Sequence, residues 1–191
     1  MPTRIVALAG SARRESFNAK LVRVAARGVE QAGGECTVLD LREFALPLYD
    51  GDLEAKAGLP EGAARLREIF SSHQGLLVAA GEYNGSITPL LKNAIDWISR
   101  SPKAAPDLSP YQGKLAALLS ASPGPLGGMR GLSVVRDVLG NIGVTVLPDQ
   151  ITLRQAHSAF DESGDLADDK QRQRVEALGR KLVEWTARIH T

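Results

Sequence analysis

The chain has 191 residues, 43% hydrophobic and 24% charged, the make-up of one globular domain large enough to bury a core. Its 23 basic and 22 acidic side chains leave a net charge of +1 without a basic stripe, which argues against a nucleic-acid partner, and its apolar runs are too short for membrane insertion. Cys36 is the single cysteine, so an internal disulfide and a multi-cysteine metal site are both excluded.

Met1-Pro2-Thr3-Arg4 leads directly into a first strand, Arg4 to Ala9, with no signal peptide ahead of it. A cytoplasmic location is therefore expected. Asn18 to Ala32 reads as a helix, with Leu21, Val22, Ala25 and Val29 on one face. Gly33-Gly34 stops it. Cys36 to Leu41 is a second strand, where Cys36 is expected to act as a small hydrophobe. Arg42 to Pro60 follows as a long connection, expected to form a surface excursion or a functional rim.

Glu61 to Ser72 is a helix packing Leu66, Ile69 and Phe70, and Gly75 to Ala80 is a strand apolar throughout. Pro89 to Arg100 is a helix with proline in its first turn. Ser101 to Pro110 is loop, Lys114 to Ser120 a fourth strand, and Arg130 to Ile142 a helix. Gly143 to Pro148 is a short fifth strand. His157 to Asp168 is turn-like. Asp169 to Ile189 is a last helix whose apolar stripe carries Val175, Leu178, Leu182, Trp185 and Ile189. His73, His157 and His190 read as scattered surface residues, and Trp97 as core.

Strands alternating with helices give an α/β fold with right-handed crossovers. The expectation is a flavodoxin-like three-layer sandwich spanning residues 1–191 as a single domain. Its five-stranded parallel sheet has the order 2-1-3-4-5, with helices on both faces. In such a sheet ligands bind at the carboxyl ends of the strands.

Two of the loops expected there carry chemistry. In Gly10-Ser11-Ala12-Arg13-Arg14-Glu15-Ser16-Phe17-Asn18, glycine allows a sharp turn. Ser11, Ser16 and Asn18 offer short side-chain donors, and the following helix start favours an anion. One of Arg13 and Arg14 adds a cation for a phosphomonoester. No second glycine follows two residues on and no Gly-Lys-Ser/Thr occurs, so the loop is neither a dinucleotide fingerprint nor a Walker loop.

Glu82-Tyr83-Asn84-Gly85-Ser86 is short and polar, suited to meeting the edge of a flat ring with main-chain groups. Ser122 to Gly128 is a third loop of small residues, and Arg130 opens the helix after it. A phosphate loop paired with a ring loop points to a flavin. Lys92, Asn93 and Asp96 read as an exposed helix face, or as groups that stiffen neighbouring loops. No Ser–His–Asp or metal-ligand pattern occurs, so no catalytic side chain and no metal are expected. Hydride chemistry would belong to the flavin.

These motifs resemble the NADPH-dependent FMN reductases, the flavodoxin-like group that includes bacterial chromate and quinone reductases. The resemblance rests on Gly10–Asn18, on Glu82–Ser86, on Leu-Lys-Asn-Ala-Ile-Asp-Trp at Leu91–Trp97 and on the loop at Ser122–Gly128. It implies non-covalent FMN with NADPH or NADH as co-substrate. The acceptors it implies are quinones, free flavin, azo compounds or metal oxyanions such as chromate. It implies Ser11, Arg13, Ser16, Phe17 and Asn18 on the phosphate side, and Glu82, Tyr83, Asn84 and Gly85 at the ring and ribityl chain. Ser122 is implied as a third-loop contact, and a homodimer or homotetramer as the assembly. One departure is Gly81, where the family has proline, from which a looser ring loop is expected. The competing reading is a flavodoxin-type electron carrier without its own substrate pocket. Such carriers are usually strongly acidic, which a net charge of +1 does not match.

Overall fold

The structure, a computed structural model, describes residues 2–190. Met1 and Thr191, at the ends of the expected domain, lie outside them. Five parallel strands make the main sheet: β1 (Arg4–Ala9), β2 (Glu35–Leu39), β3 (Gly75–Ala79), β6 (Leu115–Ala121) and β7 (Thr145–Leu153). They pair in the order β2-β1-β3-β6-β7. This is the expected 2-1-3-4-5 arrangement, because β4 (Glu82–Tyr83) and β5 (Ser86–Ile87) form a separate antiparallel hairpin.

Successive residues of β1 face opposite layers, as strand geometry requires. Ile5, Ala7 and Ala9 join one core with helices α1 (Phe17–Gln31) and α6 (Asp169–Ile189). Val6 and Leu8 join a second core with α3 (Glu61–Ser71), α4 (Pro89–Ile98) and α5 (Met129–Asn141). Covered on both faces, β1, β3 and β6 need no polar alternation, which is why they read as continuous apolar runs. The α1 stripe of Leu21, Val22, Ala25 and Val29 is buried as its spacing requires. Two glycines let α1 and α6 touch backbone to backbone. A Cβ on Gly28 would fall 1.9 Å from the Glu176 carbonyl oxygen, and one on Gly179 2.1 Å from that of Ala25.

Four expectations change. The connection Arg42–Pro60 is not plain loop: it holds a 3-10 turn at Leu41–Phe44 and a helix, α2 (Gly51–Ala57). Asp50 caps α2 by accepting from the backbone of Asp52 and Leu53. The fifth strand does not stop at Pro148 but runs to Leu153. A register shift opposite Ala116–Leu118 puts Pro148 in a bulge, where it interrupts no ladder bond.

Trp185 and Ile189 leave the buried stripe of α6, at 43% and 56% exposure. At 100° per residue Trp185 lies roughly 80° off the stripe's centre, and Ile189 occupies the last turn. Their place is taken by Val183 and Thr186. His73 is not a surface residue: it is 9% exposed, with Nδ1 on the Ile69 carbonyl and Nε2 on the Thr37 hydroxyl. Burial pushes its imidazole below the ordinary value.

Candidate functional site

The carboxyl ends of β1, β3 and β6 each release a loop, and the three loops line one cleft. Ser11, Arg13, Ser16, Phe17 and Asn18 form one wall. Gly81, Glu82 and Tyr83 form the second, and Ala121, Ser122 and Pro123 the third. Each loop follows the carboxyl end of a strand, and the sheet order brings all three to a common rim.

At the first loop, Ser16 is the N-cap of α1, its hydroxyl accepting from the Ala19 backbone at 3.2 Å. That leaves the Phe17 and Asn18 N–H groups without intrahelical acceptors. They lie at the positive end of a 15-residue helix. The Ser11 hydroxyl accepts from the Arg13 backbone at 3.4 Å and keeps its own proton to donate. The Arg13 side chain is exposed and has no ion pair among the described residues. Phe17 stacks on Phe160 with ring centres 6.1 Å apart, closing the outer side of this wall.

Asn18 plays a different part from the donor expected of it. Its Nδ2 donates to the Ala121 carbonyl at 3.0 Å, and its Oδ1 accepts from the Ala121 N–H at 2.9 Å. Both ends of the amide are thus engaged with the end of β6, and the residue is 7% exposed. Its side chain ties the first loop to the third.

In the second loop, Asn84 and Gly85 adopt positive φ, 53° and 77°. This is the left-handed pair a two-residue hairpin turn needs, and asparagine and glycine are the residues that adopt it. They form the tip of the hairpin and do not line the cleft. Tyr83 does line it, with 51% of its surface exposed. Glu82 turns its carboxylate away from the cleft. Oε1 accepts from Arg130 at 2.8 and 3.0 Å, and Oε2 from the Gly131 backbone at 3.0 Å. Burial raises this carboxyl, but the Gly131 N–H and the Arg130 guanidinium outweigh it and hold it below the ordinary value. The N-cap of α5 is Gly128, which has no side chain to offer, and Glu82 fills that vacancy from another loop. Arg130 is thereby committed to the hairpin.

In the third loop, the Ser122 hydroxyl accepts from Gly124 at 3.2 Å, and its backbone bonds the Leu153 carbonyl and the Ala156 N–H. Ser120, one turn of strand earlier, is fully buried and its hydroxyl has no protein partner.

Sequence reasoning missed Thr88. It caps α4 through Leu91 N–H at 3.3 Å and donates to the Gly10 carbonyl at 2.7 Å, joining the first and second loops. The signal was present: threonine directly before Pro89 is an N-cap followed by proline at the first helical position. Asn93 stiffens a neighbouring segment, accepting from Tyr49 N–H and donating to the Pro47 carbonyl, each at 2.8 Å. Trp97 is fully buried and donates to that same carbonyl. Lys92 and Asp96 pair with each other on the outer face. Cys36 is half-buried, and burial pushes its thiol up to about 12, far from a reactive thiolate. Among the described residues no cluster of metal-ligating side chains occurs.

A sequence model of the NADPH-dependent FMN reductases matches residues 3–158. An NAD(P)H-dependent FMN reductase of Pseudomonas aeruginosa is 34% identical over 97% of this chain and 96% of its own length. A quinone reductase of Pseudomonas putida is 34% identical over 95% of this chain and 93% of its own length. Among solved structures, the flavoenzyme NAD(P)H:(acceptor) oxidoreductase FerB of Paracoccus denitrificans superposes with a TM-score of 0.81 at 28% identity, over 97% of this chain and 98% of its own.

Proposed function

The chain belongs to the NADPH-dependent FMN reductase family, and on that premise we propose that it is an FMN-dependent NAD(P)H oxidoreductase acting on quinones. The observation that carries the reading is the single cleft lined by all three strand-end loops. Its chemistry suits FMN. One end offers an unpaired guanidinium, two hydroxyls and two free helix-start N–H groups, a fit for a phosphate dianion. Among the residues lining the cleft the one carboxylate, Glu82, is paired with Arg130 and turned away, and Glu15 of the first loop is paired with Lys20, so neither is left to repel that dianion.

In this reading Ser11, Arg13, Ser16 and the Phe17 and Asn18 N–H groups hold the phosphate. Main-chain groups of Glu82 and Tyr83 meet the ring and ribityl chain in the cleft, the Asn84-Gly85 tip borders the ring outside it, and Ser122 bounds the ring from the third loop. When bound, FMN supplies the two-electron chemistry between nicotinamide and acceptor. The protein's share is to orient the ring and hold its polar edge. Free flavin and azo compounds take electrons in pairs in the same way, and chromate, which needs three to pass from Cr(VI) to Cr(III), would draw on more than one reduced flavin.

A homodimer or homotetramer accords with Leu126 and Met129, exposed by 39% and 42% beside the third loop, as an open cleft gains from cover by a second copy. Cytoplasmic residence accords with a lone free thiol at Cys36.

The test is anaerobic addition of NADPH, then NADH, to FMN-loaded protein alone. Rapid loss of the flavin's visible colour, restored by added quinone, is expected. A flavin that stays yellow with both nucleotides would favour the electron-carrier reading. Protein that takes up no FMN would end both.

A further inference from the structure

The chain has four asparagines, Asn18, Asn84, Asn93 and Asn141, and only Asn84 is followed by glycine. That pairing has a chemistry of its own. The backbone nitrogen of the following residue can attack the asparagine side-chain carbonyl carbon, and glycine, having no Cβ, leaves that nitrogen open. The other three asparagines are poorly placed for it. Asn18 and Asn93 have both ends of the amide in hydrogen bonds to backbone, and Asn141 ends α5 before the β-branched Ile142. Asn84 is exposed, and its side chain makes no hydrogen bond among the described residues. The Gly85 N–H has no backbone acceptor there either. Asp50-Gly51 is the corresponding acidic pair, but the Asp50 carboxylate is occupied in capping α2.

The fold slows this chemistry without preventing it. Closing the five-membered ring needs the Gly85 nitrogen and the Asn84 side chain on the same side of the Asn84 Cα–C bond. A turn with left-handed φ at both central residues holds them on roughly opposite sides. The turn must therefore open first. Its strands are two residues each, and a hairpin that short is marginal by itself. Glu82 ties the hairpin's base to α5, whereas the tip has no such tie.

We propose that Asn84 is a site of spontaneous covalent modification, converted to aspartate and isoaspartate when the turn opens, and that bound flavin restrains the conversion. The restraint rests on the flavin-site reading above; the reaction itself does not. The Gly85 nitrogen bonds to Asn84 Cγ, the Cγ–Nδ2 bond breaks, and the amide leaves as ammonia with the Gly85 proton. Water then opens the succinimide at either carbonyl. One product is aspartate, a new carboxylate near Arg130, which lies against Gly85. The other is isoaspartate, whose main chain is one carbon longer, so the two-residue turn no longer fits the Tyr83–Ser86 pairing. Flavin-free protein thus passes with age into a form that holds flavin poorly.

The test is to incubate the protein for days at mildly alkaline pH, with and without saturating FMN, and to map its peptides by mass. Without FMN, Asn84 should undergo the amide-to-acid mass change about tenfold or more faster than any other asparagine. Saturating FMN should slow it by about tenfold or more, because a ligand that binds only the closed turn depletes the open one. The acidic fraction separated by ion exchange should contain isoaspartate and carry less flavin than the unmodified fraction. Asn84→Gly keeps a turn-forming pair and has no amide, so its flavin capacity should not decline over the same period. An Asn84 that reacts no faster than Asn141, or that reacts equally with and without FMN, overturns the proposal. Protein that takes up no FMN would end the flavin-site reading and the restraint with it, while the mass change would still decide the reaction.

Discussion

Asn18 and Ala121, separated by 103 residues, are joined by two hydrogen bonds through one amide side chain. The amide fits the β6 end like an added strand residue, satisfying the N–H and the C=O of one peptide position. The first and third walls of the cleft are therefore spaced by one side chain. Asn18→Ala leaves both Ala121 groups buried and unpaired, at a cost of about 1–3 kcal/mol each. We expect the melting temperature to fall by several degrees, and FMN affinity to fall further than stability alone requires. Asn18→Asp keeps one bond and presents a carboxylate that cannot donate to the carbonyl, so it should rank close to alanine. An unchanged melting temperature in Asn18→Ala would remove the spacer role.

Arg13 is the cation assigned to the flavin phosphate. Riboflavin has the same ring without the anion, so Arg13→Ala should weaken FMN by about tenfold or more and riboflavin hardly at all. High salt should shrink the difference in the native protein, because the side chain is solvent-exposed. Equal losses for the two ligands, read by flavin fluorescence titration, would take the phosphate role away from Arg13.

Glu82 is conspicuous in sequence as part of the ring loop, yet its carboxylate serves α5. Glu82→Ala deletes the one side-chain acceptor that the described residues offer at the start of a helix capped by glycine, a loss of about 1 kcal/mol from the missing cap. It also frees Arg130 from the hairpin. Glu82→Gln keeps an acceptor for Gly131 and a weaker contact to Arg130, and should restore most of the stability. We expect FMN binding to follow the same order, native above glutamine above alanine. A Glu82→Ala protein that binds FMN as tightly as the native chain would show that the hairpin holds its shape without this cap.

The sheet order and the three loops were legible because they follow from local signals: apolar runs of strand length, glycine and serine at their ends, helical spacing after them. What the loops do to one another was not legible. Nothing within Gly10–Asn18 says that Asn18 reaches Ala121, and nothing within Glu82–Ser86 says that Glu82 faces away from the ring. Those partners meet only once the strand order is imposed. Pro148 misled in the opposite sense, because a bulge admits proline where a regular ladder would not. Trp185 lay at the margin of its stripe, where periodicity discriminates least.

Gly81 leads into the ring loop, and the expectation from sequence was a looser loop there. The surroundings are instead close. A Cβ at Gly81 would stand 3.0 Å from the Thr88 methyl and 3.2 Å from the Gly10 carbonyl oxygen. Thr88 cannot rotate away cheaply, because its hydroxyl is bonded to Gly10 and to Leu91. Gly81→Pro alone should therefore lower the melting temperature and weaken FMN. In a Thr88→Ser background the hydroxyl bonds remain and the obstructing methyl is gone. There Gly81→Pro should melt at a higher temperature than Thr88→Ser by itself, since proline narrows the unfolded ensemble. A gain from Gly81→Pro in the native background would mean that the loop yields more readily than these contacts imply.

Lys114 precedes β6 and is 6% exposed, its Nζ donating to the His73 carbonyl. Burial pushes its ammonium down from an ordinary 10.5 to about 8. Between those two values the unfolded chain holds a proton that the folded chain has released. Folding stability from this group therefore rises with pH through that window and is flat on either side of it. Below it the folded protein bears the cost of a charge kept out of water. Lys114→Met removes that cost along with one hydrogen bond worth about 1 kcal/mol. The variant should equal or exceed the native protein in melting temperature near neutral pH and lose ground as the pH approaches 10.5. Subtracting the two profiles cancels the other titrating groups. A difference that does not change with pH across the window would show that Lys114 keeps its solution proton affinity in the fold.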